Sequence, residues 1–422
     1  MAHLLLIENW VEGTGRLFPR AIRDLGHTFT LVTRNPDHYL DKKTEKIHPI
    51  FSYAENILTA ETNDTDTLIE FLRIQHKALK FDGVSSVCDY YVETVSEVAN
   101  ALNLPHPFSS NIGSVRRKHK VRAALSQAGL PNPKFSACAD WPSTAKAAEE
   151  IGYPLVIKPS DLASSAYVSL VEDEPSLRAA FEELGKFTHN FRNQPREPIW
   201  LLEEYMTGEE VSVEAVSHRG RTTVIGITDK SLTGLPHFIE DGHMFPADLP
   251  PALADEIVEF VRRALEAVGH DHGISHTEVK LTPEGPRLIE INPRPGGNYI
   301  VELIQRVTDI DLLNTHIELS LNREPDLSGV TRAQGSAAVK FLVPEKDGIL
   351  VAIKGKEKLE ANANIHRWDL KKAVRQKIYP PIDNACYLGF VIAHDDKGHG
   401  ARRYAEQAIK ELKPEIDAGT EI

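Results

Sequence analysis

Apolar and polar positions in this chain follow two rhythms, one of strands and one of helices. Residues 3 to 7 form an apolar run, Gly13-Thr14-Gly15 leads into a helical pattern through Leu25, and Gly26 ends it. A strand over Thr28 to Thr33 follows, which makes the opening a β-α-β unit. Asp82 to Cys88 predicts a further strand and Tyr90 to Leu102 a further helix. Leu104-Pro105-His106-Pro107 then breaks the chain and marks a boundary.

Beyond the break, Ser114 is set to cap a helix with Val115, Val121 and Leu125 on one side, ended by Gly129 and Pro131. Pro154 to Ile157 predicts a buried strand and Pro175 to Leu184 a helix. The polar stretch FTHNFRNQPREP predicts a mobile excursion. Ile199 to Met206 is an apolar strand with a short linker. In Glu210-Val211-Ser212-Val213-Glu214 both glutamates share one face. After a strand over Thr222 to Thr228, GLPHFIEDGHMFPADLP has little periodicity and reads as a loop, the kind of segment that often holds substrate. Pro251 to Val268 is an amphipathic helix with Ile257, Val258, Val261, Leu265 and Val268 as its stripe. Helices over Tyr299 to Thr308 and Asp311 to Leu321, and a linker from Pro325 to Gly335, precede a β-rich end. Its strands are Ala337 to Leu342, Gly348 to Ile353, Gln376 to Ile378 and Leu388 to Ala393, and a last helix ends at Leu412.

The stretch HTEVKLTPEGPRLIEINPRPGG, His276 to Gly297, carries the candidate chemistry. Thr277 to Leu281 and Arg287 to Asn292 alternate as half-buried strands do, and TPEGP between them suits a turn. Folded symmetrically, Leu281 faces Arg287, Lys280 faces Leu288, and Glu278 faces Glu290. Opposed carboxylates repel, and a divalent cation between them would reverse that. Asn292 adds an amide oxygen on the same face, a hard-ligand set that suits magnesium held together with phosphates. The same alternation also fits an exposed hairpin whose glutamates point into water.

Composition narrows the picture. The chain has 422 residues, 41% hydrophobic and 26% charged, enough for two or three domains of a soluble globular protein. A formal charge of −13 argues against nonspecific binding to nucleic acid or an anionic membrane. Cys88, Cys138 and Cys386 lack metal-ligand spacing and read as buried free thiols of a reducing, cytoplasmic compartment. MAHLLLIENW is too short an apolar run for a signal peptide or membrane span. Gly13 and Gly15 fill only part of a dinucleotide fingerprint, with Phe18 at the third glycine, so a tight turn into a helix is preferred over a Rossmann dehydrogenase.

Glu278 on one strand and Glu290-Ile291-Asn292-Pro293-Arg294 on the next resemble the metal and catalytic motif of the ATP-grasp superfamily of carboxylate-amine ligases. Within it the NPRPGG ending and the His-containing loop look most like L-amino acid ligases that form dipeptides. The resemblance implies an α/β, three-part architecture. Its parts are a Rossmann-like N-terminal domain (1–105), a two-subdomain ATP-grasp core (106–325, lid about 150–205) and a β-rich C-terminal part (326–422). It implies ATP-binding roles for Lys118, Lys158, Ser164, Glu203, Met206 and Glu210. RRKHKVR departs from the family's D-K-x-x-x-R by placing Arg117 at the aspartate, and the loop SDLASSAY lacks the usual glycines. By the same resemblance, Glu278, Glu290 and Asn292 hold two Mg2+ ions, or Mn2+ instead, and Arg294 is catalytic. His243, Gly297 and Asn298 face substrate. The implied reaction joins an amino acid carboxylate to an amine, through an acyl phosphate, with release of ADP and phosphate. Small-molecule substrates and a homodimer contact in the C-terminal part are further implications. A bicarbonate-using carboxylase or carbamoyl phosphate-type enzyme, or a nucleotide-binding protein without catalysis, is the alternative.

Overall fold

The structure, a computed structural model, describes residues 1–40, 47–162, 167–233, 239–380 and 386–417. At the N-terminus, His3–Ile7 lies between Thr28–Thr33 and Gly83–Ser85 in a parallel four-stranded sheet completed by Asn56–Thr59. Both faces are covered, as parallel sheets require. Leu4 and Leu6 meet Phe18 and Ile22 on one side. Leu5 and Ile7 meet Leu68 and Val95 on the other. A Cβ on Gly15 would come 1.9 Å from the carbonyl oxygen of Trp10, so that glycine serves a close backbone approach. The third strand is shorter than Asp82 to Cys88, because the chain leaves the sheet after Ser85.

A second sheet, antiparallel, runs in the order Phe135–Cys138, Trp200–Glu204, Leu155–Pro159, Ser169–Val171. Helices Trp141–Ile151 and Glu174–Gly185 cover it. Each opens with an aspartate-serine capping box, Asp140 with Ser143 and Asp173 with Ser176. The helix expected from Ser114 begins instead at Lys118, after a separate turn over Ile112–Val115 that contains Ser114.

The largest sheet has eight strands, in the order Gly285–Asn292, Gly273–Thr282, Glu209–His218, Arg221–Thr233, Ile239–Phe245, Ser336–Leu342, Gly389–Asp395 and Ile365–Leu370. It takes strands from both sides of residue 325. Helix Pro251–Ala267 lays Ile257, Val261 and Leu265 on Val213, Val279 and Leu288. That packing claims the apolar face of three neighbouring strands, so their polar face is turned toward the antiparallel sheet that contains Leu155–Pro159. A small sheet of Lys377–Ile378, Gly348–Lys354 and Lys413–Asp417 closes the C-terminal part.

Two loop expectations change. Ile239–Phe245, read as loop, is a strand paired on both sides and largely covered on both faces, which erases the polar-apolar alternation. Residues 187 to 198, read as a mobile excursion, are docked on the N-terminal domain by hydrogen bonds from Arg34 and Asn63 to the Arg192 carbonyl. Cys88, Cys138 and Cys386 are in no disulfide and are buried. Among the described residues no helix is long and apolar enough to cross a membrane.

Candidate active site

Three adjacent strands build the site as two rows of side chains. In one, Ser212 pairs Glu278, which pairs Glu290; in the next, Glu214 pairs His276, which pairs Asn292. Alternation puts all six on the face opposite helix Pro251–Ala267. The opposition of Glu278 and Glu290 is as expected, but the turn side of the hairpin is shifted. Lys280 faces Arg287, Leu281 faces Pro286, and Val279 faces Leu288. A bulge inserts Ile289 as the extra residue, restores the glutamate pair, and turns Ile289 toward the cleft.

The carboxylates are not left facing each other bare. Lys118 Nζ lies 2.8 Å from Glu290 and donates to the Leu162 carbonyl at 2.8 Å. Lys230, buried, sets its Nζ 2.9 Å from Glu210, 3.1 Å from Glu240 and 2.9 Å from Glu278. Burial opposes its charge, yet the three carboxylates outweigh it and hold its pKa well above that of a free lysine. Asn292 donates to Glu290 at 2.9 Å. These side-chain cations stand where added positive charge is needed, so the donor set fits a hard divalent cation. Among the described residues no three acidic, histidine or cysteine side chains gather closely enough to hold one alone. Two carboxylates and an amide leave coordination positions for phosphate oxygens.

Across the cleft, Lys158 Nζ lies 2.7 Å from Glu203, whose other oxygen is 2.5 Å from Arg122 Nε. All three side chains are buried. Burial works against the glutamate's charge, but Arg122 and Lys158 overcome it and pull its pKa to about 2. The same burial lowers the pKa of Lys158. Lys118, Lys158, Glu203, Met206, Glu210 and Glu290 line one cavity between the eight-stranded sheet and the sheet that contains Leu155–Pro159. Met206 and Ile289 give it apolar walls, and Glu210 faces it beside Lys280 at 3.3 Å. Ser164 lies outside the described residues.

Arg294 leaves the Gly285–Asn292 strand toward the N-terminal domain. Its Nε donates to Asp89 at 2.5 Å and its Nη1 to the Pro295 carbonyl at 2.9 Å. Burial opposes the charge, while Asp89 more than offsets it and raises the pKa.

Family profiles match three parts of the chain: an ATP-grasp N-terminal domain over residues 20–106, an ATP-grasp domain over 151–303, and L-amino acid ligase C-terminal domain 2 over 340–417. The chain is built of ATP-grasp domains with an L-amino acid ligase C-terminal domain. It is 29% identical over 413 residues to the y4rH protein of Sinorhizobium fredii, covering 97% of this chain and 82% of that one. Carnosine synthase 1 of Mus musculus is 28% identical over 75% of this chain, which spans only 39% of that relative's length. The crystal structure of an L-amino acid ligase from Bacillus licheniformis shares the fold, with a TM-score of 0.82, 22% identity, and 99% of each chain covered.

In this ATP-grasp ligase the remaining expected residues meet at Glu240. Asn298 donates its amide to Glu240 Oε2, and His243 Nε2 lies 3.3 Å from the same oxygen. Tyr387, from the C-terminal part, donates to the Glu240 carbonyl at 2.6 Å. Asn298 and Tyr299 both have positive φ, 45° and 71°, a strained turn that follows Gly297. Gly297 has open space where a side chain would stand.

The sequence reading gave no role to Asp89, Lys230, Glu240 or His276. Glu240 lies in the stretch quoted around His243, and Lys230 two residues past the strand expected over Thr222 to Thr228. No signal marked Asp89, since its partner lies 205 residues away.

Proposed function

We propose that this ligase joins the carboxylate of one amino acid to the amine of a second, through an acyl phosphate, releasing ADP and phosphate. The observation that carries the reading is one cleft lined by Glu278, Glu290, Lys118 and Lys158, with Asn292 bonded to Glu290 and Arg294 close enough to feel the charge of both glutamates. Likeness to a carnosine synthase and to an L-amino acid ligase agrees with it.

Lys118 and Lys158 neutralise and orient the phosphates, and the Met206 and Ile289 walls take the base. Glu203 acts as the anchor that aims Lys158 and Arg122 rather than as an adenine contact, because both its oxygens are occupied by those cations. Glu210 is placed for the ribose hydroxyls. Glu278, Glu290 and Asn292 would hold Mg2+, two ions in this reading and replaceable by Mn2+, which supplies charge that keeps the transferred phosphoryl group in line. Arg294, charged at all working pH and fixed by Asp89, faces the negative charge that grows on the carboxyl oxygen as the amine attacks. Glu240, with His243, Asn298 and Gly297, bounds the amino acid. The free buried thiols accord with a reducing compartment such as the cytoplasm.

The test is product analysis after incubation with ATP, magnesium and mixed amino acids. ADP and phosphate that appear only with amino acids, together with dipeptide masses, are expected. AMP and pyrophosphate in the phosphorus NMR spectrum would overturn the activation step. ATP turnover that needs bicarbonate and no amino acid would overturn the substrate class.

A further inference from the structure

His276 opens the hairpin stretch, and nothing so far gives it work. It is buried beside the cleft, and both ring nitrogens meet carboxylates: Nδ1 lies 2.8 Å from Glu214 Oε1 and Nε2 3.2 Å from Glu278 Oε1. Glu214 is fully buried. Its Oε1 also accepts from Ser212 Oγ at 2.8 Å, while its Oε2 has no hydrogen-bond partner in the structure. A carboxylate out of water with an unpaired oxygen is costly, and an apolar side chain would fill that space without the cost.

The arrangement makes sense as orientation. Ser212 and Glu214 fix one edge of the imidazole, so the other edge has a single direction. That edge meets Oε1 of Glu278, while Lys230 holds Oε2 at 2.9 Å. The plane of the Glu278 carboxylate is therefore set from both sides. The same ring backs the loop after Arg294, since a Cβ on Gly296 would come 3.2 Å from His276 Nδ1.

We propose that Glu214 and His276 form a positioning pair that holds the Glu278 carboxylate in the orientation in which it meets the cation and the phosphates. The inference rests on the reading of Glu278 as a cation ligand. Groups behind a metal ligand commonly change metal affinity about 10- to 100-fold when removed, whereas a pair that only fills the core would act on folding alone.

The experiment is ADP binding to the full chain by calorimetry, across a magnesium titration and in magnesium-free buffer, for the parent and for Glu214→Gln, His276→Gln and Glu278→Gln. Glu214→Gln keeps the size of the side chain and an oxygen for His276, and so keeps the fold. It should raise the magnesium concentration for half-maximal enhancement about tenfold, with magnesium-free ADP affinity changed less than twofold, and His276→Gln should do the same. A shift in Glu278→Gln with none in Glu214→Gln would overturn the positioning role alone. Equal losses with and without magnesium would overturn it too, because the pair would then support the pocket as a whole. If Glu278→Gln itself leaves the magnesium dependence unchanged, the cation-site reading fails, which is a separate result. Should His276→Gln not fold, Glu214→Gln decides.

Discussion

Arg294 is tied to Asp89, 205 residues earlier in the chain, by a 2.5 Å hydrogen bond from Nε to the carboxylate. The guanidinium of the ATP-grasp motif is therefore aimed by the N-terminal domain, and its Nη2 is not used by that bond or by the one to Pro295. Arg294→Ala is expected to lower turnover a few hundred-fold, about 3 to 4 kcal/mol of transition-state stabilisation. ATP affinity should stay near the parent's, because Lys118, Lys158 and Glu203 lie across the cleft. Asp89→Asn keeps the arginine and loosens its aim, so a smaller loss of turnover is expected. Phosphate release and ATP calorimetry separate the effects. Collapsed ATP affinity with surviving turnover at saturating ATP would make Arg294 a nucleotide anchor.

Asn298 borders the site proposed for the amino acid. Its amide meets Glu240 and its φ is 45°. Asn298→Trp should narrow acceptance to small amino acids. Asn298→Gly, which keeps the left-handed backbone at no steric cost, should widen it. A panel of amino acids assayed by phosphate release reads both, and an unaltered profile in the two variants would place the pocket elsewhere.

Much of this site was legible because its residues are close in sequence. Glu278, Glu290 and Asn292 lie on two alternating runs joined by a turn, so pairing and face follow from period two. The bulge at Ile289 was missed: it leaves Leu288 and Ile291, three residues apart, both in the core, and shows in the sequence only as the adjacent apolar pair Leu288-Ile289. Ile239–Phe245 was missed because a strand covered on both faces, with Gly242 inside it, no longer alternates. Nothing in the sequence around Lys230 marks it as buried. Only the side-by-side placement of three strands surrounds it with Glu210, Glu240 and Glu278.

Acid should weaken the fold through histidines held neutral inside it. Burial lowers the pKa of His270 and of His316 from the ordinary 6.5 to about 4. Their folded pKa lies below the unfolded one, so the unfolded chain binds more protons between those values and stability falls as pH drops from 6.5 toward 4. Each contributes a loss of about 2 kcal/mol by pH 5 on this reckoning. His316→Gln should flatten the fall in urea midpoint between pH 7 and pH 5. A parallel fall in the parent and the variant would show that His316 titrates alike in the folded and unfolded chain, so that burial does not lower its pKa.

Arg192 is the clasp of the docked excursion. It is buried against the N-terminal domain, donates to the Asn9 carbonyl, lies 3.8 Å from Glu8, and sits 5.8 Å and 5.9 Å from the ring centres of Tyr39 and Tyr91. A few residues on, Arg196 lies 3.2 Å from Asp161 and the Glu197 amide donates to the same carboxylate at 3.0 Å. Asp161 follows the strand that presents Lys158, so one loop ties the N-terminal domain to the segment proposed to bind phosphate. Removing the guanidinium does not strand Glu8, which keeps hydrogen bonds from Thr33, Tyr39, Thr62 and the Arg34 amide. The cost of Arg192→Ala should therefore fall on the loop rather than on the whole fold. Amide hydrogen exchange over residues 187 to 198 is expected to speed up at least tenfold, with the urea midpoint of the chain little changed. The KM for ATP should rise as Asp161 loses its support. Arg192→Lys should rescue poorly, because an ammonium has neither the planar fork nor the stacking surface that this cage of two rings and a carbonyl uses. Unchanged exchange in Arg192→Ala would mean that Arg34 and Asn63 hold the loop by its backbone alone, and the side chain is not the clasp.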